Sequence, residues 1–446
     1  MAVRNSRKPP SVPGWLLQRS GFTNIPAVLQ KATAEHGPVV RFRNALVLRD
    51  VFFVNEPAAV EEVLVSKAAS FVKGRGTVRL RRLLGNGLLT AERPEHLPHR
   101  RLVQPAFHRK RLDAYARVMT SVALGALARW GDGQPIDVDR ETNRIALEIA
   151  AEALFGADLR NDIDTIADSL ASAMAGFPRL MLPFSELFDH VPLPANVAFR
   201  ANRKKLDDVV WRMIAAHRAD GADRGDVLSM LLGARDDESG ALDDEQIRDE
   251  AMTILLAGHE TTANALAWTF YLLQRHPDVE AKLLAHIDDV LDGRAPTIDD
   301  VPKLGYVRAV LSEVMRLYPP AWITGRRATA AVDVGGYRMR AGDVALVSQY
   351  VMHRSARYWP DPDRFDPERF VSPSQRPPFA YFPFGGGTRI CIGESFAWTE
   401  GIIVLATILS RVRLERRDAA DVETLPLVTL RPRSPIHARV RARASR

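Results

Sequence analysis

The sequence predicts a mainly α-helical protein with a minor β-sheet region, an α+β class. Three observations predict it. Long stretches with helical apolar spacing fill the middle of the chain. Short strand-like runs occur near both ends. A proline-, aromatic- and arginine-rich segment of about thirty residues, 355–385, lies between helical stretches, and so long a structureless loop is usually functional. A single domain over residues 1–446 is expected, β-rich over about 37–66 and 320–352 plus the C-terminal strands, and α-rich elsewhere.

In chain order, Val39–Arg43 and Val51–Val54 read as strands flanking a turn near Asn44. Glu56–Ser66 reads as a helix with Ala59, Val60, Val63 and Leu64 on one face. Leu112–Leu154 is helical, interrupted at Gly131-Asp132-Gly133. Phe177–Phe199 carries Pro178, Pro183, Pro192 and Pro194 among Phe, Leu and Met, and reads as a loop-rich apolar flap. Asp243 and Asp244 are placed to cap a long helix running to Gln274, with Pro277 marking its end. Past Ala251 that helix is apolar nearly all round, the pattern of a helix buried through a domain. Val332–Val351 returns to strand character, and Glu400–Leu414 is helical. From Ile436 the tail alternates apolar and basic residues, as a half-buried edge strand does. No internal repeats occur.

The 446 residues are 46% apolar and 26% charged. That balance excludes disordered, collagen-like and disulfide-scaffold classes. Cys391 is the only cysteine, so no internal disulfide is possible. The N-terminus has no apolar signal region and no apolar run approaches the ~20 residues of a membrane span. A soluble cytoplasmic protein is expected. The net charge of +7 admits acidic partners. Nucleic-acid binding is not expected, because the basic tail alternates as a strand does.

Phe384-Gly385-Gly386-Gly387-Thr388-Arg389-Ile390-Cys391-Ile392-Gly393 is the most informative stretch. Its glycines let backbone approach a flat ligand closely. A helix starts after Cys391, and its positive end favours a thiolate. Arg389 suits a carboxylate. An isolated cysteine is most simply a small core hydrophobe, but this pattern argues otherwise. It resembles the cytochrome P450 family, the haem-thiolate monooxygenases, whose Phe-x-x-Gly-x-Arg-x-Cys-x-Gly signature is matched by Phe384, Gly387, Arg389, Cys391 and Gly393. The resemblance implies the P450 fold, with haem b (iron protoporphyrin IX) between the long central helix and the Cys-loop helix. It implies Cys391 as the axial iron ligand, its thiolate favouring O–O cleavage. Gly385 and Gly393 would line the haem, Phe384 would shield the sulfur, and Arg389 would bind a propionate.

Other motifs agree in order and spacing. Glu313-Val314-Met315-Arg316 places an acid and a base on one helix face. Glu141–Arg144 and Glu245–Arg248 share the spacing and read as solvated pairs. Only the first precedes Pro367-Glu368-Arg369-Phe370, and the resemblance implies a Glu313–Arg316–Arg369 network that locks the loop leading to Cys391. In the buried helix, Ala257-Gly258-His259-Glu260-Thr261-Thr262 brings an acid and hydroxyls into apolar surroundings, which is costly without hydrogen bonds. A polar kink is the bland reading. The family's acid–alcohol pair is the other: Ala257 and Gly258 leave room for dioxygen, Thr261 holds a water, and Glu260 relays protons. His259 is not expected to bind iron. His96 and Arg100 have the spacing of the family's propionate-binding pair, with His99 a rival and Pro98 compatible only with a first helical turn. Arg326, or the adjacent Arg327, stands where another propionate ligand is expected.

The resemblance spans His36-Gly37-Pro38 to Thr429-Leu430-Arg431-Pro432, and no fused reductase is expected. It implies insertion of one atom of O2 into a lipophilic small molecule of fatty-acid, terpenoid or polyketide type. The pocket would draw on Val78–Leu89, the Phe177–Phe199 flap, Thr253, Ala257, Ala321-Trp322-Ile323 and the Pro426-Leu427 region. Electrons would come from a ferredoxin or flavodoxin with its NAD(P)H-dependent reductase, docking near Arg100, Arg101, Arg109, Lys110 and Arg111. The competing readings are a peroxide-driven peroxygenase, in which the acid–alcohol pair is typically replaced, a non-catalytic haem protein, which would not need it, and a structural helical protein with an inert Cys391.

Overall fold

The computed structural model describes residues 8–19, 21–43, 49–181, 191–236, 240–372, 375–418 and 420–443. The expected turn near Asn44 lies outside them, as does the middle of the Phe177–Phe199 stretch.

The axis of the molecule is the helix Asp244–Leu273. Asp243 opens it with a capping box: its carboxylate accepts the Gln246 N–H at 2.8 Å, and the Gln246 side chain accepts the Asp243 N–H at 3.0 Å. Helices Val138–Ile149, Pro194–Asp220, Gly305–Leu317 and Glu394–Leu409 pack against it. Between Glu250 and Leu273 every residue is buried except Ala257, Gly258 and Thr261. Those three line the internal cavity described below. No described helix is long and apolar enough to cross a membrane.

The strands expected near the N-terminus and around 332–351 meet in two small sheets. The larger has six strands, in the order Ser11–Pro13, Val39–Arg43, Val51–Val54, Val344–Val347, Thr324–Ala328, Phe71–Lys73. Val332–Val334 and Tyr337–Met339 form a separate hairpin. Glu56–Ser66 folds as an α-turn, Pro57–Glu61, that widens into a π-turn, Glu62–Ser66.

Several expectations are corrected. Pro178 and Pro194 do not break the flap stretch into loops: they start helices Phe177–Leu180 and Pro194–Asp220, where the missing N–H costs nothing. The helix expected over Glu400–Leu414 runs from Glu394 to Leu409, and Val412–Arg416 is a strand. The tail strand His437–Ala442 is central, paired with Val412–Arg416 on one side and Pro135–Asp137 on the other. Its alternation reports one buried face, through Ala438 and Val440, and says nothing about the two backbone edges. The Glu245–Arg248 pair does not form. Arg248 is buried and turns to Asp207 and Asp249 instead. Arg144 likewise pairs with Glu148, at 2.9 Å, while Glu141 accepts the Trp130 indole N–H.

The loop 355–385 is fastened by one buried pair. Glu313 and Arg316 are fully buried and joined twice, at 2.6 and 2.8 Å. The remaining Arg316 donors reach the carbonyls of His353, Pro362 and Arg364 at 2.6–3.0 Å. Glu313 accepts the Asp366 N–H at 2.8 Å and lies 3.4 Å from the Arg369 guanidinium. A helix side-chain pair thus supplies hydrogen bonds to backbone that has no secondary structure of its own. Replacing Arg316 by Met should lower unfolding free energy by about 3–5 kcal/mol, because it strands a buried carboxylate. Urea denaturation checks this, with the exposed Arg160→Ala variant expected to match wild type.

Candidate active site

A cavity of about 1120 Å³ separates the central helix from the cysteine loop. Ordinary ligand pockets are roughly 300–1,000 Å³, so there is room for a macrocycle and an organic molecule together. Its wall is mostly aliphatic, with Lys73, His96, Arg100, Arg326 and Arg389 gathered at one end and Thr253, Glu260, Thr261 and Thr262 along the central helix.

The cysteine loop is shaped by close backbone contacts. Gly385 and Gly387 have φ of +76° and +69°. A Cβ at Gly387 would fall 2.1 Å from the Leu64 carbonyl oxygen, so only glycine fits there. The Cys391 N–H donates to the Phe384 carbonyl at 3.0 Å, and Phe384 packs against Trp398. Cys391 opens into the cavity, with its side chain accessible there. Burial pushes its thiol up, with the Gly393 N–H opposing. The helix begins only at Glu394, so the helix end expected beside the sulfur lies a few residues further along the chain.

The polar end is a cluster of positive groups. Lys73 and Arg326 stand directly opposite each other across two antiparallel strands, an arrangement that repels in isolation. Arg389 and His96 line the cavity beside them, with Arg100. Glu92 is the carboxylate among them, bound to Arg389 at 2.5 Å and to the Lys73 N–H. Burial, then Arg389, pulls Lys73 down to about 6. Burial, then Arg389, also lowers Arg326 to about 10 and His96 to about 3. A group carrying carboxylates at this end of the cavity would offset the excess charge. The residues present therefore fit a haem, a flat macrocycle with two propionates.

His99 and Arg327, the rivals, differ in placement. His99 turns away to Glu250, at 2.8 Å. Arg327 is exposed, on the opposite face of its strand from Arg326, and also borders the cavity. Helix His96–Val103 starts at His96, so Pro98 falls in its first turn. Arg100 donates to the Ile390 carbonyl at 2.8 Å.

On the central helix, the Thr261 hydroxyl donates to the Ala257 carbonyl at 2.9 Å. The Glu260 carboxylate is held by Arg431 at 2.7 Å and by the Thr429 hydroxyl. A Cβ at Gly258 would meet Leu154 at 3.5 Å, which is ordinary contact. His259 is buried away from the cavity wall, and burial lowers its pKa. Glu400, wholly buried near Thr262, is pushed well above the carboxylate range by burial.

Sequence reasoning did not single out Lys73, Glu92, Thr429, Arg431 or Glu400. The position of Lys73 two residues after Phe71, on the same face of a short apolar strand, was the one available signal for it. Glu92 and Arg431 act through partners 297 and 171 residues away, which no local pattern records.

The profile of the cytochrome P450 family matches residues 7–438. Cyclooctatin synthase of Streptomyces melanosporofaciens is 39% identical over 89% of this chain and 87% of its own. Cyclooctat-9-en-7-ol 5-monooxygenase of the same organism is 37% identical over 85% and 83%. Pentalenene oxygenase of Streptomyces avermitilis is 35% identical over 94% and 93%. The crystal structure of the cytochrome P450DA haem domain superposes with a TM-score of 0.87 at 29% identity, covering 99% of both chains. The fold and cavity define a buried-cofactor oxidoreductase, and the chain belongs to the cytochrome P450 family. It is an enzyme of the monooxygenase class.

Proposed function

We propose that this chain inserts one atom of O2 into a terpenoid-type lipophile, with haem b ligated by Cys391 and electrons from a separate acidic protein. The observation that carries the reading is a large, mainly aliphatic cavity whose positive end faces the cysteine loop. The names of the three relatives narrow the substrate to the terpenoid type. Bound haem supplies reductive activation of O2, with the second oxygen atom leaving as water.

The chain's own residues have separable roles. Lys73, His96, Arg100, Arg326 and Arg389 hold the propionate edge. Phe384 and Trp398 keep water from the Cys391 sulfur. Ala257 and Gly258 leave the reacting side of the central helix open. Thr261 holds a water by exchanging its bond to the Ala257 carbonyl, and Glu260 passes it protons. Arg431, which is partly exposed, holds the Glu260 carboxylate between the cavity and the outer surface.

A spin-shift titration of the holoenzyme should show tight binding of terpenoid-type hydrocarbons or alcohols and none of small polar metabolites. The reverse ranking contradicts the substrate class. Thr261→Ala should keep that binding while diverting most reducing equivalents to peroxide, read as product formed per NAD(P)H consumed. Unchanged coupling removes Thr261 from the relay.

Arg101, Arg109 and Lys110 are exposed near the cysteine side, and Arg111 is tied to the Gly225 carbonyl. This face suits an acidic ferredoxin or flavodoxin. Reduction should slow as salt rises, and Arg109→Glu with Lys110→Glu should remove most of that dependence in stopped-flow measurements. Salt-independent reduction of wild type moves the docking face elsewhere.

A further inference from the structure

Three consecutive side chains of the central helix, Arg248, Asp249 and Glu250, reach the segment that roofs the cavity. Arg248 donates to the Leu83 carbonyl at 3.3 Å and pairs with Asp207 of the helix Pro194–Asp220. Asp249 accepts the Asn86 N–H at 2.5 Å. Glu250, fully buried, accepts the Leu88 N–H at 3.0 Å with one oxygen. Its other oxygen lies 2.8 Å from His99 Nδ1. The approach is so close that a Cβ at Gly85 would fall 2.0 Å from the Asp249 carboxyl, and one at Gly87 2.3 Å from Thr253 Oγ1. Leu83, Leu84, Leu88 and Leu89 line the cavity directly below. His99 belongs to the short helix that also carries His96 and Arg100.

We propose that Glu250 is a positioning residue that fastens the cavity roof and the helix His96–Val103 to the central helix, and that the charge on His99 is the part of this fastening that pH removes. Glu250 does not touch the reacting atoms. It fixes the Leu88 backbone, and through His99 it fixes the register of the helix that presents His96 and Arg100.

The sign is set by the surroundings of His99. The Glu250 carboxylate, 2.8 Å from Nδ1, raises its pKa above the ordinary 6.5, burial opposes, and Glu95 and Asp249 add to the rise. His96, Arg100 and Arg101 share its helix. The packed helix Val227–Gly233 brings no titratable group. A group whose folded pKa is raised contributes stability that is complete below its unfolded value and lost as pH rises through the folded one. The roof therefore loosens with rising pH, as a buried carboxylate loses its cation.

Hydrogen exchange of the holoenzyme tests this without substrate or turnover, so failure of the terpenoid reading leaves it standing, and its own failure leaves that reading intact. After correction for intrinsic exchange, the peptide covering Asn86–Leu89 in wild type should open on the order of ten-fold more at about pH 9 than at about pH 6. His99→Asn and Glu250→Gln should raise exchange at low pH and abolish the step, while peptides from Glu394–Leu409 stay protected. Lys73 also titrates in this region and donates to the Leu88 carbonyl. A step arising there would survive both variants, and that survival overturns the proposal. A flat wild-type profile overturns it too, and needs no variant to fold.

Discussion

The constraint on which the rest depends is a buried cavity with too much positive charge at one end. Two cations face each other across adjacent strands, Lys73 and Arg326, with Arg389, Arg100 and the His96 imidazole around them. A protein interior does not hold such a cluster for stability, since each charge loses hydration and repels the others. Glu92 relieves part of it. Burial and mutual repulsion depress the basicity of these groups, most of all at Lys73, and a ligand that brings carboxylates would relieve it. The six-stranded sheet, which otherwise looks peripheral to a helical protein, is what sets Lys73 and Arg326 at that end of the cavity.

The second support is the conversion of helix side chains into backbone anchors. Arg316 holds three loop carbonyls while Glu313 holds a loop N–H and Arg369. Asp249 and Glu250 do the same for the roof, and Glu260 is in turn gripped by Arg431. In the first two cases a rigid helix lends order to a segment with too few internal hydrogen bonds to order itself. The cysteine loop, the roof and the loop 355–385 are irregular for this reason, and all three border the cavity. A site that must approach a flat ligand from both faces cannot be lined by regular structure alone.

Much of this was legible in the sequence because it is written locally. The glycines and arginine around Cys391, the apolar central helix with its Ala-Gly-x-Glu-Thr insertion, and the strands near both ends are patterns within a dozen residues. What was not legible is written across the chain. Lys73 looks like any lysine in an edge strand until Arg326 and Arg389 are placed beside it. The tail strand's alternation shows its buried face, yet its central place depends on Pro135–Asp137, too short to be seen in the sequence. Pro194 reads as a breaker and is in fact a helix start, because the two roles differ only in the residues after the proline. The Glu245–Arg248 spacing suggested a solvated pair, and burial redirected Arg248 to Asp207 and Asp249.

The most direct measurement is the absorption spectrum of the dithionite-reduced, haem-loaded protein under carbon monoxide, in wild type and in Cys391→Ser. The account predicts the red-shifted Soret band of thiolate-ligated haem in wild type and its loss in the variant. A band at the position of histidine-ligated or protonated-thiol haem in freshly prepared wild type, or a red-shifted band that survives Cys391→Ser, would contradict it.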